Sequence, residues 1–419
     1  GHDDGPPRPH PVRAALVEWL GDEGFNCYAY APKHDPFHRD RWRDPYPDEE
    51  MEQFRELAQI GIGSGAELAM GVSPGLDWRD GDEPALIRKL AAFEAIGVRT
   101  LAVAFDDVPP GGDDLGRRHG AAVAAAVAAL DPGIRWVTCP TDYATPVATP
   151  YLKAFVAELP DAVDVMWTGP SIVSLDADSA AARAVSDELG RPLLFAENFP
   201  VNDGPMEGCL HLGPYPARGA DLVKATRGVF CNFMGRARAS RVGLGAAARF
   251  WRDPHHDRED AWRDVLAGIP GIEPLARACR SWAGDGGPDP ELLAWADAAV
   301  ADPSDTRLRD FLTAGCRRDL DPALAAEVEP WLEQWDRQSQ AMQFALALLA
   351  APGRPAEIAF PMASLWQRAR ELPQETFGTR WAAYPVTTWV DGRFHALPEG
   401  LVRGDNLTDR LCTAALAAP

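Results

Sequence analysis

Positive charge is scarce in this chain. Only 41 Lys and Arg stand against 62 Asp and Glu, leaving a formal net charge of −21. Non-specific binding to nucleic acid or to an anionic membrane surface needs clustered Lys and Arg, so the balance argues against both partners and favours a neutral substrate. Long apolar runs are missing too. The nearest, residues 341–351, falls far short of the roughly 20 residues that span a bilayer as a helix. Cysteine is sparse and unpatterned: seven residues, an odd number, with no CxxC spacing. That reads as reduced, mostly buried thiols and suits a cytoplasmic protein better than a secreted one. There is no initiator Met, and Gly1-His2 reads as a cloning remnant. The native N-terminus is therefore out of view, and a removed signal peptide stays open. Asn406-Leu407-Thr408 fits the glycosylation sequon, a triplet common by chance. Internal repeats and low-complexity tracts are absent.

What is present is the composition of a globular protein, 46% hydrophobic and 25% charged, long enough for more than one domain. Short apolar runs at 25–30, 67–72, 99–105, 135–139, 163–167, 193–196 and 229–233 alternate with helical patterns such as 48–59, 84–95, 117–129 and 179–188. Runs without strict polar alternation read as strands buried on both faces of a parallel sheet. Most end in polar groups, including Asp106-Asp107, Thr141-Asp142-Tyr143 and Glu197-Asn198. Active sites of (β/α)₈ barrels lie at those ends, so the expected fold is an α/β, TIM-type barrel over residues 1–250. Seven strands are countable; the eighth is not evident, because the first eleven residues are rich in Pro, Gly and Asp. From 251 to 419 the chain turns Ala-, Leu- and Trp-rich with helical periodicity at 258–266, 291–301, 307–316, 322–349 and 362–372. This predicts a C-terminal all-helical domain, broken at 284–290 and 351–355, with a small hairpin at 387–394. It is expected to extend the cleft or to mediate a homodimer, and its apolar stretch 342–351 fits internal core as well as interface.

Asp106-Asp107 is the sharpest chemical signal. Two neighbouring carboxylates repel, so one tends to keep a proton at neutral pH, as an acid catalyst requires. Consecutive strand residues face opposite ways, so both reach one pocket only if the strand ends there, before Pro109-Pro110. The bland alternative is a solvated turn or a helix cap. Glycosidases ordinarily place two carboxylates on separate strands, and an adjacent pair fits better where the substrate's own 2-acetamido oxygen is the nucleophile. His34 and His38, with Asp35 between, have a metal-like spacing, but Pro36 argues against the helix it needs. His255-His256-Asp257 reads as linker and helix cap. Trp366, Trp381 and Trp389 could build a sugar platform, although such residues in a helical domain are more often core.

The block Gly24-Phe25-Asn26-Cys27-Tyr28-Ala29-Tyr30-Ala31-Pro32-Lys33-His34-Asp35, with His38-Arg39 and Trp42-Arg43, is similar to a signature of glycoside hydrolase family 84. Ser73-Pro74-Gly75-Leu76-Asp77, Phe105-Asp106-Asp107, Cys139-Pro140-Thr141-Asp142-Tyr143, Trp167-Thr168-Gly169-Pro170, Asn198 with Asn202-Asp203, and Leu212-Gly213-Pro214-Tyr215 follow in the family's order. The resemblance implies a retaining exo-β-N-acetylglucosaminidase of the O-GlcNAcase type, working by substrate-assisted catalysis through an oxazoline. It implies no metal and no cofactor, and a partner that is an N-acetylglucosamine-bearing glycoside or glycoprotein. Asp106 matches the residue that orients the acetamido group, and Asp107 the general acid/base. Tyr143 matches a tyrosine on the acetamido carbonyl; Lys33, Asn198, Asp203 and Asn232 match residues that hold the sugar. The family's first strand, Glu-Gly-Phe-Tyr-Gly, has no counterpart here, and Gly5-Pro6-Pro7 aligns just beyond it. Either that strand lies upstream of Gly1 or it has been lost. Ala196 and Phe233 depart from the family's usual aromatic and Pro. Two alternatives follow: a non-catalytic N-acetylhexosamine binder, or an enzyme with a changed substrate in a biosynthetic pathway.

Overall fold

The structure is a computed structural model that describes residues 7–175, 177–280, 288–317, 319–353, 355–378, 387–390, 393–396 and 406–417. Gly5, Pro6, residues 284–287, Trp381 and the side chain of Trp389 lie outside that set. The chain divides into two compact units. The first comprises Gly1–Val201, Ala217–Ala237 and Ala247–His256; the second comprises Asn202–Pro216, Arg238–Ala246 and Asp257–Pro419.

The first unit holds a seven-stranded, all-parallel sheet whose order follows the chain: β1 (Cys27–Tyr30), β2 (Glu67–Val72), β3 (Thr100–Ala104), β4 (Arg135–Cys139), β5 (Val163–Trp167), β6 (Leu194–Glu197) and β7 (Val229–Cys231). Such nearest-neighbour order is what repeated right-handed β-α-β connections produce when a sheet curls into a TIM-like barrel. β1 and β7 are its two edges, and the eighth strand of a closed barrel has no counterpart among the described residues. All seven expected strands are observed, within one or two residues at their ends. The central ones are buried on both faces (Leu68 to Val72, Leu101, Val103, Ala104), which is why their sequences lack polar alternation.

The helices between strands follow the local rules. Asp48–Ser64 opens with Asp48, Glu49 and Glu50 in its first turn, where the helix dipole favours negative charge, and stops at Gly65 with φ +86°. Pro150–Ala157 is capped by the Thr149 hydroxyl, which accepts from Leu152 N at 3.1 Å. It packs closely on Asp113–Ala129 because Gly116 and Gly120 face it: a Cβ on either would come within 2.3 and 2.4 Å of the Tyr151 and Phe155 carbonyl oxygens. The concave side of the sheet is lined by small residues (Ala29, Ala31, Ala69, Gly71, Ala102, Ala104), which leave an apolar cavity of about 50 Å³. Closed barrels of this class fill that space with larger branched side chains.

The second unit, as far as it is described, is helical apart from β8 (Thr387–Val390) and β9 (Arg393–Ala396), which pair antiparallel as the hairpin pattern requires. Its centre is the helix Glu329–Ala350, packed by the helices Ala356–Arg370 and Leu407–Ala417. Met342, Ala345, Leu346 and Leu348 are buried there, so this part of the apolar stretch is core. The expected single helix over 322–349 is broken at Val328, since Pro330 opens the second segment and cannot continue a helix from before it. Trp366 is core too, its indole N–H donating to Asp409 Oδ1 at 2.6 Å. Asn406 is buried, with Nδ2 on Thr376 O at 2.8 Å and Oδ1 capping the last helix, so the sequon is no surface site. Asp257 caps Arg258–Ala267 as expected.

Candidate active site

Five of the seven strands of the first unit carry a candidate functional group just past their C-terminal ends. Lys33 follows β1, Asp106-Asp107 follow β3, Tyr143 follows β4, Asn198 follows β6 and Asn232 follows β7. The two aspartates converge for a specific backbone reason. Asp107 has φ +56°, a left-handed conformation that Asp tolerates better than most residues. This turns its side chain out of strand alternation, and both carboxylates then meet the same lysine. Lys33 Nζ contacts Asp107 Oδ2 directly and lies 3.3 Å from Asp106 Oδ2. The two residues do form a turn, but Asp106 in it is buried rather than solvated.

The pair is asymmetric. The Asp106 side chain is 5% exposed and that of Asp107 is 37% exposed, so one carboxylate sits inside and the other at the mouth. Tyr143 OH donates to Asp107 Oδ1 at 3.3 Å, and Arg39 Nη1 is 3.9 Å from Asp107 Oδ2. Burial works against the Lys33 charge, but Asp106 and Asp107 outweigh it and hold the ammonium above its ordinary pKa. Burial, with help from Asp107, pushes the Tyr143 phenol up, so it remains an O–H donor.

The neutral half of the site is built differently. Asn232 Nδ2 donates to Asn198 Oδ1 at 3.1 Å, and Asn198 Nδ2 donates to Ile172 O at 2.7 Å. Asn232 is buried, and its Oδ1 has no hydrogen-bond partner among the described residues; a hydroxylated ligand can supply the missing donor. Asp203 belongs to the second unit, directly before the 3₁₀ turn Gly204–Met206. Ala196 packs beside Tyr143 against Ala104, Cys139 and Met166. Phe233 is buried under the Arg8 guanidinium, 4.7 Å from its ring centre.

Sequence reasoning missed the supports beneath these groups. Asp35 accepts from the Tyr30 and Tyr46 hydroxyls at 2.7 and 2.9 Å and from Phe37 N at 2.8 Å. It is thus the hub of the loop that carries Lys33. His38 is buried with Nδ1 2.8 Å from Gly71 O. Among the described residues no three His, Cys, Asp or Glu are grouped to hold a metal. Glu197 and Arg218 form a buried bidentate pair under Asn198. Their 21-residue separation carries no periodic signal. All seven cysteines are free, and burial raises their thiols, that of Cys27 to about 11.

The β-N-acetylglucosaminidase family profile matches residues 5–282, about two thirds of the chain. The curated Protein O-GlcNAcase of Rattus norvegicus and that of Mus musculus are each 29% identical over 257 residues. The match covers 57% of this chain and 28% of theirs, so the chain spans little more than a quarter of those relatives. A solved mutant of the Thermobaculum terrenum O-GlcNAc hydrolase superposes with a TM-score of 0.76 at 24% identity, over 89% of this chain and 90% of that one. At that identity it speaks for the fold alone.

Proposed function

Because the chain belongs to the β-N-acetylglucosaminidase family of glycoside hydrolases, we propose that it hydrolyses terminal β-linked N-acetylglucosamine with retention, using the substrate's acetamido oxygen as nucleophile. One observation carries this reading: two adjacent carboxylates of unequal exposure converge on one lysine, with a phenol on the outer one. Asp106, the inner group, accepts the acetamido N–H and turns the carbonyl oxygen toward the anomeric carbon. As that oxygen bonds to the carbon and the glycosidic bond breaks, Asp107 gives its proton to the leaving oxygen. An oxazoline forms on the sugar. Water then attacks the anomeric carbon, Asp107 takes its proton, and two inversions leave the configuration retained. Tyr143 moves its O–H to the acetamido oxygen; Lys33, Asn198 and Asn232 take ring hydroxyls. The action on this reading is exo, on O-linked N-acetylglucosamine of proteins or on small glycosides.

The test is hydrolysis of 4-nitrophenyl β-N-acetylglucosaminide by the parent, Asp106→Asn and Asp107→Asn. Losses in kcat of about 10²–10⁴ are expected for Asp106→Asn on any leaving group. Asp107→Asn should suffer less with nitrophenolate, which leaves without protonation, than with an alkyl aglycone. A folded parent with no turnover, or an Asp107→Asn loss indifferent to the leaving group, would sink the assignment.

A further inference from the structure

Asn198 and Asn232 share one buried neighbour, Glu197: Asn198 follows it in the chain and Asn232 is bonded to its backbone. Glu197 ends β6, and its backbone carbonyl accepts from Asn232 N at 2.8 Å. Its side chain, 2% exposed, takes both prongs of Arg218, whose own side chain is 1% exposed: Nε to Oε2 and Nη2 to Oε1, each 2.9 Å. The third guanidinium nitrogen, Nη1, donates to Leu175 O at 3.2 Å. Leu175 belongs to the loop after β5 that also contains Ile172, whose carbonyl holds the Asn198 amide. That loop is cross-tied within itself, Ser171 N donating to Ser174 Oγ at 2.9 Å and Ser174 Oγ to Ser171 O at 2.7 Å.

The faces fall where strand alternation puts them. Ala196 packs on the concave side with Ala104, Cys139 and Met166. Phe195 lies on the other side, near Trp167 and Trp251 and 5.4 Å from the Arg218 guanidinium. Glu197 shares the Phe195 face, so the ion pair acts on Asn198 from behind. A buried ion pair is seldom more stabilising than an apolar pair of the same volume, which leaves geometry as its contribution here. Resting on the function proposed above, we infer that Glu197 and Arg218 are positioning residues for the sugar. Their fork fixes the end of β6 and the loop after β5 against each other. The Asn198 and Asn232 amides are thereby locked in one orientation, with an acceptor and an N–H left for sugar hydroxyls.

A double-mutant cycle tests this. Arg218→Met, Asn198→Ala and the double variant are assayed on 4-nitrophenyl β-N-acetylglucosaminide, with melting temperature measured beside activity. Arg218→Met is expected to lower kcat/KM about tenfold, chiefly through KM. Asn198→Ala is expected to lower it by about as much, and the double variant to fall little below Asn198→Ala alone, because coupled residues are not additive. Losses that multiply would overturn the inference, since Arg218 would then act apart from Asn198. Should Arg218→Met fail to fold, Arg218→Lys keeps the charge and loses the fork; it must show the same coupling. If the parent does not turn over, the enzymatic reading fails by itself. The same cycle is then read calorimetrically with N-acetylglucosamine, and coupled losses in affinity would still support positioning. No binding by the parent would overturn both.

Discussion

The two halves of the candidate site reach rigidity by different routes. On the β1, β3 and β4 side, the functional groups hold one another: Lys33 ties Asp106 to Asp107, and Tyr143 and Arg39 close on the outer carboxylate. On the β6 and β7 side, Asn198 and Asn232 are neutral amides, and the charged pair Glu197 and Arg218 sits beside them in the fold. In the first half the charges are mutually paired and only the outer carboxylate, Asp107, is substantially exposed. In the second the charged pair is buried on both sides and each prong of its fork is taken. On the proposed function, bond making and breaking fall to the carboxylates of the first half, and the second half serves recognition alone.

Lys33→Met strikes the charged half hardest short of the aspartates. It removes the proposed charge-assisted donor to the sugar and leaves the two carboxylates with Arg39, 3.9 Å from Asp107 Oδ2, beside them. A charge-assisted hydrogen bond is roughly twice as strong as a neutral one, so kcat/KM on the nitrophenyl glycoside should fall about 100-fold, with kcat affected as well as KM. Asn232→Ala removes an acceptor that is buried and without a hydrogen-bond partner among the described residues. Its loss should be smaller, about tenfold in kcat/KM, and should appear mainly in KM. If Asn232→Ala costs more than Lys33→Met, or acts mainly on kcat, the division between a chemical and a recognition half is broken.

Much of this was legible in the sequence because it depends on local rules. Strands buried on both faces announce themselves as unbroken apolar runs, and all seven were read within one or two residues. The polar residues after the strands mark the expected active end of the sheet, but only Asp106-Asp107 stands out by itself; Lys33, Tyr143, Asn198, Asp203 and Asn232 are named through the family resemblance. Helix limits inside the second unit were harder. Residues 322–349 look continuous in hydrophobic periodicity, and only Pro330 splits them. The helix Ala356–Arg370 conversely runs through Pro361, where a start at 362 was expected. The supports were not legible at all. Arg218 meets Glu197, and Tyr46 meets Asp35, through tertiary packing that leaves no period in the chain. Nor does sequence disclose the left-handed turn at Asp107 that makes an adjacent pair usable.

The smallest effect concerns the support beneath the charged half. Lys89 is buried, with its ammonium on Asp44 O and 4.1 Å from the ring centre of Tyr46, which holds Asp35 in turn. Burial lowers its pKa to about 8, only partly opposed by Asp35, Asp44 and Glu50. An unfolded Lys89 keeps its proton to about pH 10.4, so between pH 8 and 10 the unfolded chain binds more protons at this position. Stability contributed by Lys89 must therefore rise with pH across that window, and below it the burden of a buried cation is present in full. Several thiols and phenols, Cys27 among them, shift upward and act the other way at high pH, so the comparison must be with Lys89→Met, which shares them. The free energy of urea unfolding of the parent minus that of the variant should climb by roughly 2 kcal/mol from pH 8 to pH 10. Arg218, always charged and fully paired, offers the control: Arg218→Met should show no such climb. A flat Lys89 difference would mean that its ammonium is as well accommodated as the Arg218 guanidinium, and the two supports would then be alike.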